Sequence, residues 1–95
     1  MPKTLFYKDS DVCFEYEVEG KDLLLHCEVV RWSPSILKKS YTVFGDFLNT
    51  MRKAGFERAC TITPNPKFAK VFGGKEVATY EHEGKEYEVV VWELS

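Results

Sequence analysis

Apolar and polar residues alternate along the first part of the chain. Between residues 12 and 19, the apolar residues Phe14, Tyr16 and Val18 are separated by glutamates. Because successive side chains of a β-strand point to opposite faces, this alternation predicts a strand with one buried and one solvent-facing side. A short apolar run at residues 5–7 predicts a further strand before it, and a polar turn joins the two.

The next apolar run extends from Asp22 to Arg31 and follows a turn at Gly20-Lys21. Leucine, cysteine and valine occupy most of its positions, so it alternates less than the strand before it. Such uniform runs are typical of central strands. We therefore expect this strand to be covered on both faces.

A helical pattern begins after Trp32. Ser33 supplies a side chain that can cap a helix, and the fixed φ of Pro34 suits the first helical position. Apolar residues then recur at spacings of three and four, which predicts one buried face made of Leu37, Tyr41, Phe44, Leu48 and Met51. Gly55 is expected to end the helix. Gly45 predicts close packing against the sheet, since a mid-helix glycine costs about 1 kcal/mol relative to alanine.

The second half predicts a strand, a short helix and a hairpin. The strand covers residues 58–63 and is stopped by Pro64. We expect Asn65 to cap the short helix, with Pro66 at its first position. Its buried side is expected to hold Phe68, Val71 and Phe72. Residues 76–82 and 86–94 then predict a β-hairpin.

The predicted order is therefore β-β-β-α-β-α-β-β, an α+β fold with a mostly antiparallel sheet. The chain has 95 residues, of which 44% are hydrophobic and 15% aromatic. That is enough for one packed core and too little for two. We expect a single domain over residues 1–95.

The charge balance argues against some classes of partner. The net charge is −2, so no general positive field would hold the protein on nucleic acid or on an anionic membrane. The apolar runs are much shorter than the roughly 20 residues that cross a bilayer. Because the first residues also lack the apolar stretch of a signal peptide, we expect a cytoplasmic protein.

The cysteines and histidines provide few candidates for chemistry. Cys13, Cys27 and Cys60 have no CxxC spacing, which favours reduced, buried thiols and no metal site. His26 and Glu28 alternate onto one face of the third strand and are the candidate general bases if the protein is an enzyme. The alternative is that both lie at a polar edge of the core or in solvent.

The second half also resembles the GNAT acetyltransferases. The resemblance runs from about Asp22 to Leu94 and is carried by Gly55-Phe56 and by the segment Thr61-Ile62-Thr63-Pro64-Asn65-Pro66-Lys67-Phe68-Ala69-Lys70-Val71-Phe72-Gly73-Gly74. These residues are similar to the strand, asparagine-initiated helix and glycine that precede the terminal hairpin in that family. Small acetyltransferase-like proteins of tailed bacteriophages, including the internal virion proteins of T7-like phages, have similar C-termini.

The resemblance implies a cofactor site that this chain has altered. GNAT enzymes bind the pyrophosphate of acetyl-CoA on backbone N–H groups of a glycine-containing turn at the start of the central helix. The matching residues, 32–39, contain no glycine, and Pro34 removes a donor. If acetyl-CoA binds at all, the resemblance implies Ser35, Lys38, Lys39 and Asn65 as its contacts.

The general acid of the family is altered as well. It is a tyrosine on the short helix, and its position falls on Ala69 or Phe72 here. The N-terminal helices of the family also have no counterpart in the pattern. The resemblance therefore implies a trimmed and inactive version of the fold.

We consequently expect a non-catalytic protein of phage type that requires no cofactor. It would act through a protein partner or self-assembly, in the host cytoplasm or in a virion. Exposed aromatic residues are suited to such contacts, and the candidates are Trp32, Tyr80 and Trp92. The alternative is an acetyl-CoA-dependent N-acetyltransferase with an atypical cofactor site.

Overall fold

A computed structural model describes residues 3–95. Its strands are β1 (Thr4–Lys8), β2 (Val12–Glu19), β3 (Asp22–Val29), β4 (Arg58–Thr63), β5 (Lys75–His82) and β6 (Lys85–Glu93). Its helices are α1 (Pro34–Lys53), between β3 and β4, and α2 (Lys67–Val71), between β4 and β5. The predicted order of elements is confirmed.

The six strands form one sheet in the order β1-β2-β3-β4-β6-β5. Every neighbouring pair is antiparallel except β3 and β4, which are parallel and joined through α1. The predicted α+β fold with a mostly antiparallel sheet is therefore confirmed. Strands β1 and β5 form the two edges of the sheet.

Both helices pack on the same side of the sheet. The buried strand residues all point to that side, as the strand registers show: Val12, Phe14, Leu23, Leu25, Ala59, Val90 and Trp92. Phe44 of α1 lies at the centre of this core, with its ring centroid 5.0 Å from that of Trp92 and 5.3 Å from that of Phe72. Aromatic contacts at these distances add stability beyond the area they bury.

The opposite side of the sheet, which we call the open face, has none of the buried strand residues of the described chain. Its central residues are half-buried or exposed, and include Leu24, His26, Cys60 and Val91. The expectation that β3 would be covered on both faces is therefore wrong. The uniform apolar run predicts a central position correctly, but both helices lie on one side of it.

The buried stripe of α1 is shifted by one position from the predicted one, and the two share only Phe44. Ile36, Ser40, Phe44 and Phe47 are the buried residues of the helix, whereas Leu37 is 37% and Tyr41 59% exposed. The predicted stripe and the buried stripe both pass through Phe44. The buried one is hard to recognise in the sequence because it contains the polar residue Ser40. The Ser40 hydroxyl has no hydrogen-bond partner among the described residues.

Gly45 does not pack closely against the sheet, contrary to expectation. It is exposed, and a Cβ atom added there would meet nothing within 4 Å. The start of α1, by contrast, is as predicted. The backbone N–H of Ile36 donates to Oγ of Ser33 at 3.2 Å, and Pro34 is the first helical residue.

The helix α2 begins without an asparagine cap. Pro66 precedes it and provides no side-chain hydrogen bond, while the backbone N–H of Asn65 donates to Oγ1 of Thr63 at 3.1 Å. Val71 is 49% exposed and Ala69 is 2% exposed, so the predicted buried side is also wrong at Val71. A helix of five residues has little more than one turn, and Ala69 occupies the place against the sheet.

Candidate functional site between β3 and β4

Strands β3 and β4 separate after a short paired stretch. They pair only where Asp22–Leu24 meet Arg58–Cys60. The last link is a side-chain hydrogen bond, in which Oγ1 of Thr61 donates to the backbone carbonyl of Leu25 at 3.0 Å. Beyond it the facing edges of the two strands carry backbone donors and acceptors that do not pair with each other. The separation leaves an opening through the sheet.

The opening contains a cavity of about 490 Å³, a volume usual for small-molecule sites. Its walls come from both sides of the sheet. The residues on the open-face side include Lys3, Glu15, His26, Glu28 and Ile62. Those on the helix side include Cys27, Trp32, Thr63, Asn65, Phe68 and Ala69. A bound molecule could therefore be reached from two directions.

His26 and Glu28 both line this opening and share one face of β3, as the alternation predicts. The polar partner of His26 is Glu17 rather than Glu28, since Nε2 of His26 lies 3.2 Å from Oε2 of Glu17. Glu17 pairs with Leu24 in the sheet, two residues before His26. Such diagonal pairs are within reach of long side chains. A histidine held by a carboxylate is a chemically reasonable proton acceptor.

Lys39 lies away from the opening and is engaged elsewhere. Its ammonium group donates a hydrogen bond to Oδ2 of Asp9, which also accepts one from the Tyr7 hydroxyl at 2.8 Å. Lys39 holds the pKa of the Asp9 carboxyl well below its usual range, and Asp9 raises the pKa of Lys39. This contact ties the β1–β2 turn to α1. Sequence reasoning missed it, because the two residues are 30 positions apart.

The other cofactor candidates are scattered around the helix starts. Ser35 is exposed, and its hydroxyl lies 3.2 Å from that of Ser33. Lys38 is exposed on α1, while Asn65 lines the opening at the end of β4. The ring centroids of Trp32, just before α1, and Phe68, in α2, lie 4.7 Å apart.

The two positions where the resemblance places a general acid hold apolar side chains. Ala69 is 2% exposed and faces the opening. Phe72 is buried in the core, and its backbone carbonyl accepts a hydrogen bond from Nε1 of Trp92 at 3.0 Å. Neither side chain has a proton to donate.

All three cysteines are free, as predicted, but they are not all buried. Cys27 is exposed at the opening, while Cys13 and Cys60 are half-buried. Surrounding protein desolvates the Cys27 thiolate and raises its pKa to about 12. Burial also raises the pKa of Cys60. Because the thiolate is the reactive form, Cys27 is accessible but chemically weak.

The aromatic partner candidates divide into two groups. Trp32 is 45% exposed at the start of α1, and Tyr80 is 49% exposed on the edge strand β5. Trp92 is only 6% exposed, so its assignment to a partner surface is wrong. Its alternation along β6 places it on the helix side, where it packs against Phe44.

Two findings bear on other kinds of site. Within residues 3–95, no group of three or more histidine, cysteine, aspartate or glutamate side chains is arranged to hold a metal ion. In the same part of the chain, neither helix has the length and apolar character needed to span a membrane.

Similar folds occur among solved acetyltransferases. Aminoglycoside 6'-acetyltransferase type Ii superimposes with a TM-score of 0.75 and 13% identity, over 94% of this chain and 66% of its own. A putative acetyltransferase of the GNAT family from Desulfovibrio desulfuricans superimposes with a TM-score of 0.67 and 14% identity, over 94% of this chain and 65% of its own. A putative acetyltransferase from Agrobacterium tumefaciens superimposes with a TM-score of 0.65 and 11% identity, over 97% of this chain and 73% of its own.

The fold is GNAT-like. No protein-family model and no curated protein matches the chain. At these identities the likeness concerns the fold alone, and the chain spans about two thirds of the length of these acetyltransferases. The relationship to phage proteins stays a prediction.

Proposed function

We propose that this chain is a non-catalytic GNAT-like protein that acts by protein–protein interaction. The observation that carries the proposal is that Ala69 and Phe72, the two positions where the resemblance places the general acid, are both apolar, and Ala69 is buried against the opening. An acetyl transfer from CoA releases a thiolate, and a positioned acid accelerates such a step about 10²–10⁴-fold. The lining near Ala69 on α2 is Phe68, which cannot supply the proton.

The start of α1 also offers few groups that could bind the phosphates of a cofactor. Pro34 has no backbone N–H, and the Ser33 hydroxyl already accepts a hydrogen bond from Ile36. Lys39 is paired with Asp9, which leaves Lys38 as the free cation of that pair of lysines. The contact between Trp32 and Phe68 fills space between the two helix starts. We therefore expect weak binding of acetyl-CoA.

Several surfaces suit a protein partner. Strand β5 is exposed along its whole length at the edge of the sheet. Its Val77 and Tyr80 are 58% and 49% exposed, and Trp32 and Val30 are exposed elsewhere. Edge strands and exposed aromatic residues are common in protein interfaces. Following the likeness of the sequence to phage proteins, we propose a virion-internal component or a host-directed binding module.

The second candidate is an N-acetyltransferase with an atypical cofactor site. It is favoured by the cavity of about 490 Å³ between β3 and β4. The contact of 3.2 Å between His26 and Glu17 adds a base that could take a proton from an acceptor amine. In this version His26 would be the base, and the thiolate would take its proton from water.

Two measurements on one sample of purified protein distinguish the two proposed functions. Calorimetry is used to follow acetyl-CoA binding, and chromatography to follow release of CoA, which avoids interference from the protein's own thiols. We expect a dissociation constant above about 100 μM, equivalent to about −5.5 kcal/mol, and no release of CoA above the blank.

A low-micromolar dissociation constant would favour the enzyme instead. Its dependence on Lys38→Glu provides the check, because Lys38 is exposed near the start of α1. The matched control is Lys53→Glu, the same charge change in the last turn of the same helix. Loss of binding in the first variant only, together with CoA release, would overturn the proposed function.

A further inference from the structure

We infer that the open face of the sheet is a self-association surface, against which a second copy of this chain packs. The inference rests on the proposed function and names the partner. It concerns the face of the sheet, and not the unpaired backbone edge of β5 or the exposed residues of the helices.

The middle of the open face is an apolar strip on β3, β4 and β6. We call it the central strip, and its residues are Leu24, Cys60, Ile62, Val89 and Val91. All five are half-buried or exposed, and Ile62 is 48% exposed. No helix of residues 3–95 covers them, because both helices pack on the other side. Contiguous apolar surface of this kind marks interaction sites in folded proteins.

The charges on the two sides of the central strip have opposite signs. On the side of β1, β2 and β3, the open face carries the carboxylates Glu15, Glu17, Glu19, Asp22 and Glu28. Lys3 and Lys8 are the cations there, so this half has a net charge of −3 with histidine neutral. On the side of β4, β6 and β5, the open face carries Arg58, Lys75, Lys85 and Glu93, which gives a net charge of +2. Asp22 and Arg58 pair with each other within one copy at 3.4 Å, which leaves charges of −2 and +1 for contacts between copies.

This split makes the face complementary to itself. A two-fold axis that lies between the two copies, parallel to the strands and along the central strip, places the negative half of one copy over the positive half of the other. It also places the central strip of one copy on that of the other. Dimers of identical chains commonly form in this way, because one patch serves both partners. Opposite charges across an interface also favour the correct orientation.

The area of the open face indicates how strongly two copies should associate. Six strands about 4.8 Å apart and about eight residues long span an area of roughly 600 Å². Two copies would bury roughly 1,200 Å² in total, the lower end of the range for specific interfaces. We therefore expect a dimer that dissociates on dilution and not an obligate one.

The test compares two lysine substitutions at equally exposed apolar residues. Ile62 is 48% exposed on the open face, and Val71 is 49% exposed on α2, on the other side of the protein. Sedimentation velocity is measured from about 5 to about 500 μM protein, a range that covers weak association. We expect a monomer–dimer transition for the unchanged chain and for Val71→Lys. Ile62→Lys should weaken dimerisation at least tenfold, because it brings two like charges together near the axis.

A second variant tests the same surface in case Ile62→Lys does not fold. Glu19→Lys changes an exposed residue of the negative half, at the end of β2. It should weaken the dimer severalfold at low salt and less at about 1 M salt, where charges are screened within about 3 Å. Circular dichroism confirms that each variant is folded.

Three outcomes would overturn the inference: a monomer at every concentration, a dimer that Ile62→Lys and Glu19→Lys leave intact, and a dimer that Val71→Lys disrupts equally. Its failure is distinguishable from that of the proposed function. A monomer that captures a different protein refutes this inference only. A dimer that releases CoA from acetyl-CoA refutes the proposed function only.

Discussion

Two glycines allow the packing of this fold to be tested with opposite expected signs. Gly74 follows α2, and a Cβ atom added there would lie 2.4 Å from Cγ1 of Val90. It would also lie 2.9 Å from the carbonyl oxygen of Ala69 and 2.9 Å from Cε2 of Trp92. Val90 and Trp92 are buried, so they cannot move into solvent. Gly74→Ala therefore overpacks the core.

The expected magnitudes follow from these distances. Inserting a methyl group into a packed core typically costs about 1–3 kcal/mol, and contacts below 3 Å place Gly74→Ala toward the upper part. Gly45→Ala is the matched control, the same change inside α1 where no atom lies within 4 Å. It should stabilise the protein by about 1 kcal/mol, because alanine is the better helix former.

Urea unfolding provides the assay. Tryptophan fluorescence reports on the buried Trp92, and circular dichroism reports on the helices. For a domain of this size, about 1 kcal/mol corresponds to about 4–8 °C in the melting temperature, so thermal unfolding gives an independent check. The protein is kept dilute, since a dimer would make stability depend on concentration. Unfolding of Gly74→Ala at or above the midpoint of the unchanged chain would refute the packing around α2.

Three further predictions concern single side chains. The Cys27 thiol, whose pKa desolvation raises to about 12, should react with thiol reagents at pH 8 on the order of 10²-fold more slowly than an ordinary cysteine, since the smaller thiolate fraction is partly offset by a more nucleophilic thiolate. Native thiol titration measures the rate, and a reaction as fast as that of glutathione would contradict the expectation. Asp9→Asn should destabilise the protein at neutral pH. Lys39 lowers the pKa of Asp9 from 3.8, so the carboxylate stabilises the fold above that value. That contribution should disappear as the pH falls further, and a deficit that stays constant from pH 7 to strongly acidic pH in thermal melts would exclude the ion pair as its cause. Ser40→Ala should stabilise the fold by about 1–3 kcal/mol, since it removes a buried hydroxyl without a hydrogen-bond partner. Denaturant unfolding measures the change, and a lower midpoint for Ser40→Ala would show that the hydroxyl is hydrogen-bonded to a buried water.

The sequence predicts the strands better than the buried faces of the helices. Phe14 and its alternating neighbours on β2 lie where the period of two places them, because one side of that strand is covered and the other is not. In α1, the stripes through Leu37 and through Ile36 are both plausible at helical spacing. Only tertiary packing decides between them, and it buries Ser40 in place of Tyr41.

The candidate site could be predicted only in part. The shared face of His26 and Glu28 follows from strand alternation. The opening depends on where β3 and β4 stop pairing, which the local sequence pattern of neither strand reveals. Glu17 joins His26 through the register of β2 with β3, which local sequence does not reveal. The contact of Asp9 with Lys39 likewise needs the packed fold.

The opening and the chemistry within it have different physical origins. The opening arises because β4 leaves β3 after three residue pairs, while α2 places Phe68 and Ala69 beside the gap. Backbone topology and apolar packing produce that shape, so it persists whatever polar groups line it. A proton donor depends on an individual side chain and a phosphate cradle on the local backbone of one turn, so either can differ without any change of fold. The residues around Ala69, and not the GNAT-like fold by itself, therefore determine what chemistry the opening could support.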